Sequence, residues 1–104
     1  MIRTENKKII MVEGDFGLTL PITITGTEIA SDEIIKFIIE NIDNTTIMTK
    51  EYKNITNNTF DLTFTKEESD LLKKGKYIYT IDWLKDDVFL GNVINNEIFE
   101  VEGK

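Results

Sequence analysis

The side chains in this 104-residue chain that could do chemistry are carboxylates, hydroxyls and amides, because histidine and cysteine are both absent. That removes the commonest general base, the thiolate nucleophile and the usual zinc ligands together. A serine nucleophile would be Ser31 or Ser69, each relying on a lysine or carboxylate. Ser31 lies in an acidic connection and Ser69 in a short helical stretch, and neither sits in the strained turn that presents such a nucleophile. Neighbouring carboxylates occur at Glu13 and Asp15, Asp32 and Glu33, Glu67 and Glu68, and Asp86 and Asp87. Glycoside hydrolysis needs two carboxyl groups facing each other across a cleft, whereas these pairs are local to turns, where they serve turn formation and solubility. Calcium takes oxygen ligands from loops, and Asp82, Asp86, Asp87 and Asn92 could meet at one end of a β-domain. The sequence has no D-x-D-x-D-G loop, so a merely polar loop is the expected reading. Asn44, Asn54 and Asn57 each begin an N-x-T triplet, read here as turn asparagines. Gly14 and Gly17 make a turn, since no helix follows to cradle a phosphate. The expectation is no enzyme, no cofactor and no metal.

Charge narrows the partners further. The net charge is −7, from 12 basic and 19 acidic residues, and Arg3 is the only arginine. Nucleic acid and anionic membrane attract clustered Lys and Arg, so neither is an expected partner. No apolar run is long enough to span a bilayer, and the polar start MIRTENKK does not read as a signal peptide. Missing cysteines favour assembly inside a cell. The length suits one domain over residues 1–104, with 40% apolar residues to fill a modest core.

The elements that must hold these groups are strands. Residues 16–25 read FGLTLPITIT, with Phe16, Leu18, Leu20, Ile22 and Ile24 on one side. Pro21 cannot donate to a ladder, which places that strand at a sheet edge or bulge. Residues 8–12 form a short strand before it. Residues 34–42 put Ile35, Phe37 and Ile39 on one face, with Ile34 and Ile38 on the other. Strands follow at residues 47–52 and 59–64. Thr65, three residues before Glu68, has the spacing of a capping box, predicting a short helix over residues 66–74 that ends at Gly75 as C′ and buries Leu71 or Leu72. Tyr77, Tyr79, Ile81 and Trp83 then alternate with Ile78, Thr80, Asp82 and Leu84. Lys85-Asp86-Asp87 is a hairpin turn, and Asn95-Asn96 a second tight turn separating strands at 88–94 and 97–101. Phe99 and Val101 face inward.

Seven to eight short strands with regular turn signals predict an all-β fold, an immunoglobulin-like antiparallel sandwich with one short helix. The run L-x-x-x-G-x-Y ending at Tyr77 fits a tyrosine corner or a plain core tyrosine.

The stretch EGDFGLTLPITITG (residues 13–26) resembles the opening of the immunoglobulin-like N-terminal domain of phage baseplate upper proteins. Ile35, Phe37 and Ile39 are similar to that family's second core strand. The run NTFDLTFTKEESDLLKKGKYIYTIDW (residues 58–83) resembles its strand, corner, helix and Gly-x-Tyr-x-Tyr strand, and EIFEVEG its closing Phe-x-Val strand. Members usually continue into a long C-terminal region, whereas this sequence stops at Lys104. The resemblance implies a structural component of a phage or prophage tail baseplate, assembled in the bacterial cytoplasm and resident in the virion tail. Its partners would be other tail or baseplate proteins, with a homo-oligomer left open, and the family has no catalytic residues to carry over.

Such a module needs a contact surface. The candidates are the second-face apolar residues Ile34, Ile38 and Leu84, with Phe89, Leu90 and Trp83; for Ile38 the rival expectation is cover by a second sheet. The alternative function is a carbohydrate-binding or adhesin-like module of a bacterial surface protein, which would use Trp83, Tyr52 and Phe89 as an aromatic platform.

Overall fold

The computed structural model describes residues 2–103. Its elements are β1 (Ile2–Glu5), β2 (Lys8–Val12), β3 (Thr19–Thr23), β4 (Ile34–Asn41), β5 (Thr46–Tyr52), β6 (Thr59–Thr63), α1 (Lys66–Asp70), β7 (Gly75–Lys85) and β8 (Val88–Glu102). A six-stranded sheet, ordered β1-β2-β8-β7-β4-β5, packs against a two-stranded sheet of β3 and β6. This is the expected immunoglobulin-like sandwich, with one departure from all-antiparallel pairing. β2 runs parallel to β8, Ile9 opposite Phe99 and Met11 opposite Val101.

The core is the product of period-two alternation meeting between the layers. β4 contributes Ile35, Phe37 and Ile39, β7 contributes Tyr77, Tyr79 and Ile81, and β6 supplies Phe60 and Leu62 from the opposite sheet. Phe37 stacks on Tyr79 with centroids 5.2 Å apart, and Phe99 meets the rings of Phe37 and Phe64 edge-on at 6.5 and 5.9 Å. Each such side chain contributes about 1.5–3 kcal/mol on burial, so these rings fix how the layers stack.

The end where β7 begins is tied down by polar bonds. Thr65 caps α1, accepting from the Glu68 amide at 3.2 Å, while the Glu68 carboxylate accepts from the Thr65 amide at 2.9 Å. Glu68 also holds Lys50 of β5 at 2.7 Å, and that ammonium lies 5.3 Å from the Phe64 ring centre. Tyr77 closes a tyrosine corner, donating its hydroxyl to the Lys73 carbonyl at 2.8 Å. Leu72 is the leucine that is buried, while Leu71 stands 57% exposed.

Several expectations need correction. The alternating strand is shorter than residues 16–25: β3 covers Thr19–Thr23, and Phe16 and Leu18 are exposed. Pro21 does lie on an edge strand, for among the described residues β3 has β6 as its single ladder neighbour. The helix stops at Asp70, capped by Leu71, so Gly75 is not its C′ residue but the first of β7. β1 adds a strand that no sequence pattern announces; it pairs with β2 across Asn6-Lys7, with Asn6 at φ 56°. Asn95-Asn96 is no turn. β8 runs unbroken, and Asn96 at φ 55° forms a bulge whose amide meets the Thr80 hydroxyl at 3.3 Å.

Candidate interaction surface

The inward faces of β4 and β7 are filled by the core, so their alternate residues point away from the second sheet. Ladder register puts these outward residues in rows. Ile34 stands opposite Leu84, Lys36 opposite Asp82, Ile38 opposite Thr80 and Glu40 opposite Ile78. Across the other side of β7, Leu84 pairs with Phe89 and Ile78 with Ile98. A solvated sheet face ordinarily carries polar residues at these positions. Here Ile34, Ile38, Ile78, Leu84, Ile98 and Phe89 occupy them, and among the described residues no element packs over them.

Three of the sequence candidates share one row: Ile34, Leu84 and Phe89. Ile38 lies on the same face two rows away, and the two-stranded sheet does not cover it. Leu90 sits at a bulge beside Phe89 and is 44% exposed, and Phe89 itself is 56% exposed. Trp83 is on the other face. It lies beside Ile35, packs partly against the core, and its buried indole nitrogen has no hydrogen-bond partner among the described residues. Its alternation with Tyr77, Tyr79 and Ile81 carries it inward. Sequence reasoning missed Ile78 and Ile98 as members of the surface. The parity of Tyr77 and of Phe99 was the signal that could have found them.

The tip beside this row is acidic. Lys85 and Val88 close the hairpin around Asp86 and Asp87, whose φ values of 50° and 63° suit the tight two-residue turn. Lys85 reaches Asp32 at 3.5 Å, and Asp82 accepts from the Asn92 amide at 2.6 Å. The opposite flank of the face is paired off. Lys8 meets Glu100 at 2.7 Å and Arg3 meets Glu102 at 3.5 Å, across the buried Ile10. The hydrogen bond between Lys8 and Glu100 raises the lysine pKa and lowers that of the carboxyl.

The other chemistry considered does not converge. Tyr52 and Trp83 flank Ile35 on the inward face, while Phe89 points outward, so the three aromatics make no shared platform. Tyr52 packs on Phe60 with ring centres 4.5 Å apart, and burial, then Glu68 and Asp61, push its hydroxyl to about 12. Among the described residues no group of three or more Asp or Glu could hold a metal ion. A cleft of about 380 Å³ opens between β3 and β7–β8, walled by Ile22, Ile24, Ile81 and Ile94 and rimmed by Thr23 and Lys7. Its titratable wall residue, Tyr79, donates its hydroxyl to the Lys7 carbonyl and is held near 12 by burial, so it is no acid–base group at neutral pH. Among the described residues no helix is long and apolar enough to cross a membrane. No family model, no curated protein and no solved structure matches this chain.

Proposed function

We propose that this domain is a structural module of a phage or prophage tail baseplate, joining neighbouring proteins through the outward face of its six-stranded sheet. One observation carries the reading: that face bears Ile34, Ile38, Ile78, Leu84, Ile98 and Phe89 where a solvated sheet would bear polar residues. Apolar rows of this kind, split by the Lys36–Asp82 row, are suited to protein contact, and Phe89 supplies an aromatic anchor at their end. The placement in a baseplate comes from the resemblance of residues 13–26 and 58–83. The immunoglobulin-like sandwich supports it, being the fold that the resemblance implies.

The test is to purify phage particles from the source strain and measure the chain's stoichiometry by mass spectrometry. Micrographs of particles lacking its gene complete it. The expected result is a fixed copy number per tail and particles without a finished baseplate. Fully infectious particles that contain none of this chain would overturn the reading.

A further inference from the structure

The same face carries a more specific message about one of its contacts, and this inference rests on the reading of the face as a protein-contact surface. We infer that a second copy of this chain docks there, about a two-fold axis that runs along the strands between β4 and β7. Such an axis lays β4 of one copy over β7 of the other, row by row. Ile34 of each copy then meets Leu84 of the other, and Ile38 meets Thr80. Lys36 of each copy falls over Asp82 of the other, and this happens twice by symmetry.

Charge is what favours a second copy over an unrelated partner. Within one chain Lys36 turns to Glu51, at 3.9 Å, and leaves Asp82 with the Asn92 amide alone. Among the described residues no lysine or arginine pairs with Asp82. The cation in its row is Lys36, and the two-fold axis delivers that cation from the other copy. A net charge of −7 opposes self-association; the Lys36–Asp82 row carries its own counter-charges, whereas Glu40 of each copy falls over Ile78 of the other without one. The size also suits. The outward face of β5, β4 and β7, with 7, 8 and 11 residues, together with the length of β8 beside β7, covers about 600 Å². A stable interface buries about 800 Å² of accessible surface per partner, a quantity that exceeds a flat footprint because side chains such as the exposed Phe89 and Leu90 of β8 stand out of it.

Sedimentation equilibrium of the full chain, up to about 200 μM, tests this with two single variants and their mixture. Lys36→Asp places two carboxylates in the facing row, and Asp82→Lys places two ammoniums there. Each alone weakens the dimer by about tenfold or more. An equimolar mixture restores it, because in the mixed dimer both facing rows again set a carboxylate against an ammonium. Circular dichroism melts check that both variants fold, and Ile38→Lys, on the same face, abolishes the dimer without either charge swap. A wild-type chain that stays monomeric throughout overturns the inference, and so does a dimer that the mixture fails to restore. Failure here is separable from failure of the baseplate reading. A monomer found in purified tails sinks only the dimer, and a dimer absent from them sinks only the baseplate.

Discussion

The two ends of the sandwich are built on different principles. The corner end, where α1 leads into β7, is closed by three polar pairings: the Thr65–Glu68 box, the Lys50–Glu68 pair and the Tyr77–Lys73 bond. At the hairpin end the β7–β8 ladder slips register three times, and Phe89 and Leu90 are left in solvent. One end is held by bonds that need a single arrangement. The other keeps its apolar surface outside the core. Stability should therefore concentrate at the corner, and contacts with other molecules at the hairpin.

The largest expected effect contrasts a core leucine with an exposed phenylalanine. Leu72→Ala removes a fully buried side chain behind the corner and should cost about 2–5 kcal/mol in urea unfolding. Phe89→Ala should stay within about 0.5 kcal/mol, being a surface change. Equal losses would erase the distinction between the ends. Tyr77→Phe tests the corner bond itself and should cost about 1 kcal/mol, from the Lys73 carbonyl left without its hydroxyl donor.

The ion pair comes next and depends on pH. Burial pushes the Glu68 carboxyl upward, but the hydrogen bonds from Lys50 and Thr65 outweigh it and leave the pKa below its ordinary 4.5. A carboxyl lowered by folding stabilises the fold fully above its unfolded value, and that contribution fades as pH falls through the folded one. Solvent screening limits it to about 1 kcal/mol or less. Glu68→Gln should therefore lower Tm at pH 7, and the wild-type and variant curves should converge as pH falls below the ordinary carboxyl value of 4.5 and through the lowered one. A constant gap across that range would show that the pair is not what holds α1 to β5. The smallest effect belongs to the hairpin. Asp87→Gly relieves a positive φ of 63° and should raise stability by less than about 1 kcal/mol. A net loss in the same urea titration would mean that the added freedom of the unfolded chain outweighs the relief.

The corner was the more legible end from sequence. The Thr65 and Glu68 spacing, the alternation at Tyr77 and the apolar face of Ile35, Phe37 and Ile39 are local patterns, and each is realised. On the hairpin side the Lys85-Asp86-Asp87 turn was readable but the bulge was not, because an asparagine with positive φ serves a tight turn and a bulge equally well. Asn96 has the sequence signature of the first and is the second. Residues 2–5 show no apolar period at all, and only pairing with β2 makes them a strand. The six-to-two division of strands is also non-local: strands of either layer alternate in the same way. Of the surface, Ile34, Ile38 and Leu84 were readable from parity. Their union with Ile78, Ile98 and Phe89 depends on which strands lie side by side. Trp83 illustrates the limit, since a residue near a strand end can be placed on a face by parity but its cover cannot be judged.

The parallel pairing of β2 with β8 has a consequence for biosynthesis. Ile9 must wait for Phe99, about ninety residues later, before its edge of the large sheet is complete. While the ribosome works through that interval, Ile9, Ile10 and Met11 have no final partner on that side. Contacts so distant in sequence slow folding, so the nascent chain should acquire its protease resistance late and abruptly, once β8 has cleared the exit tunnel.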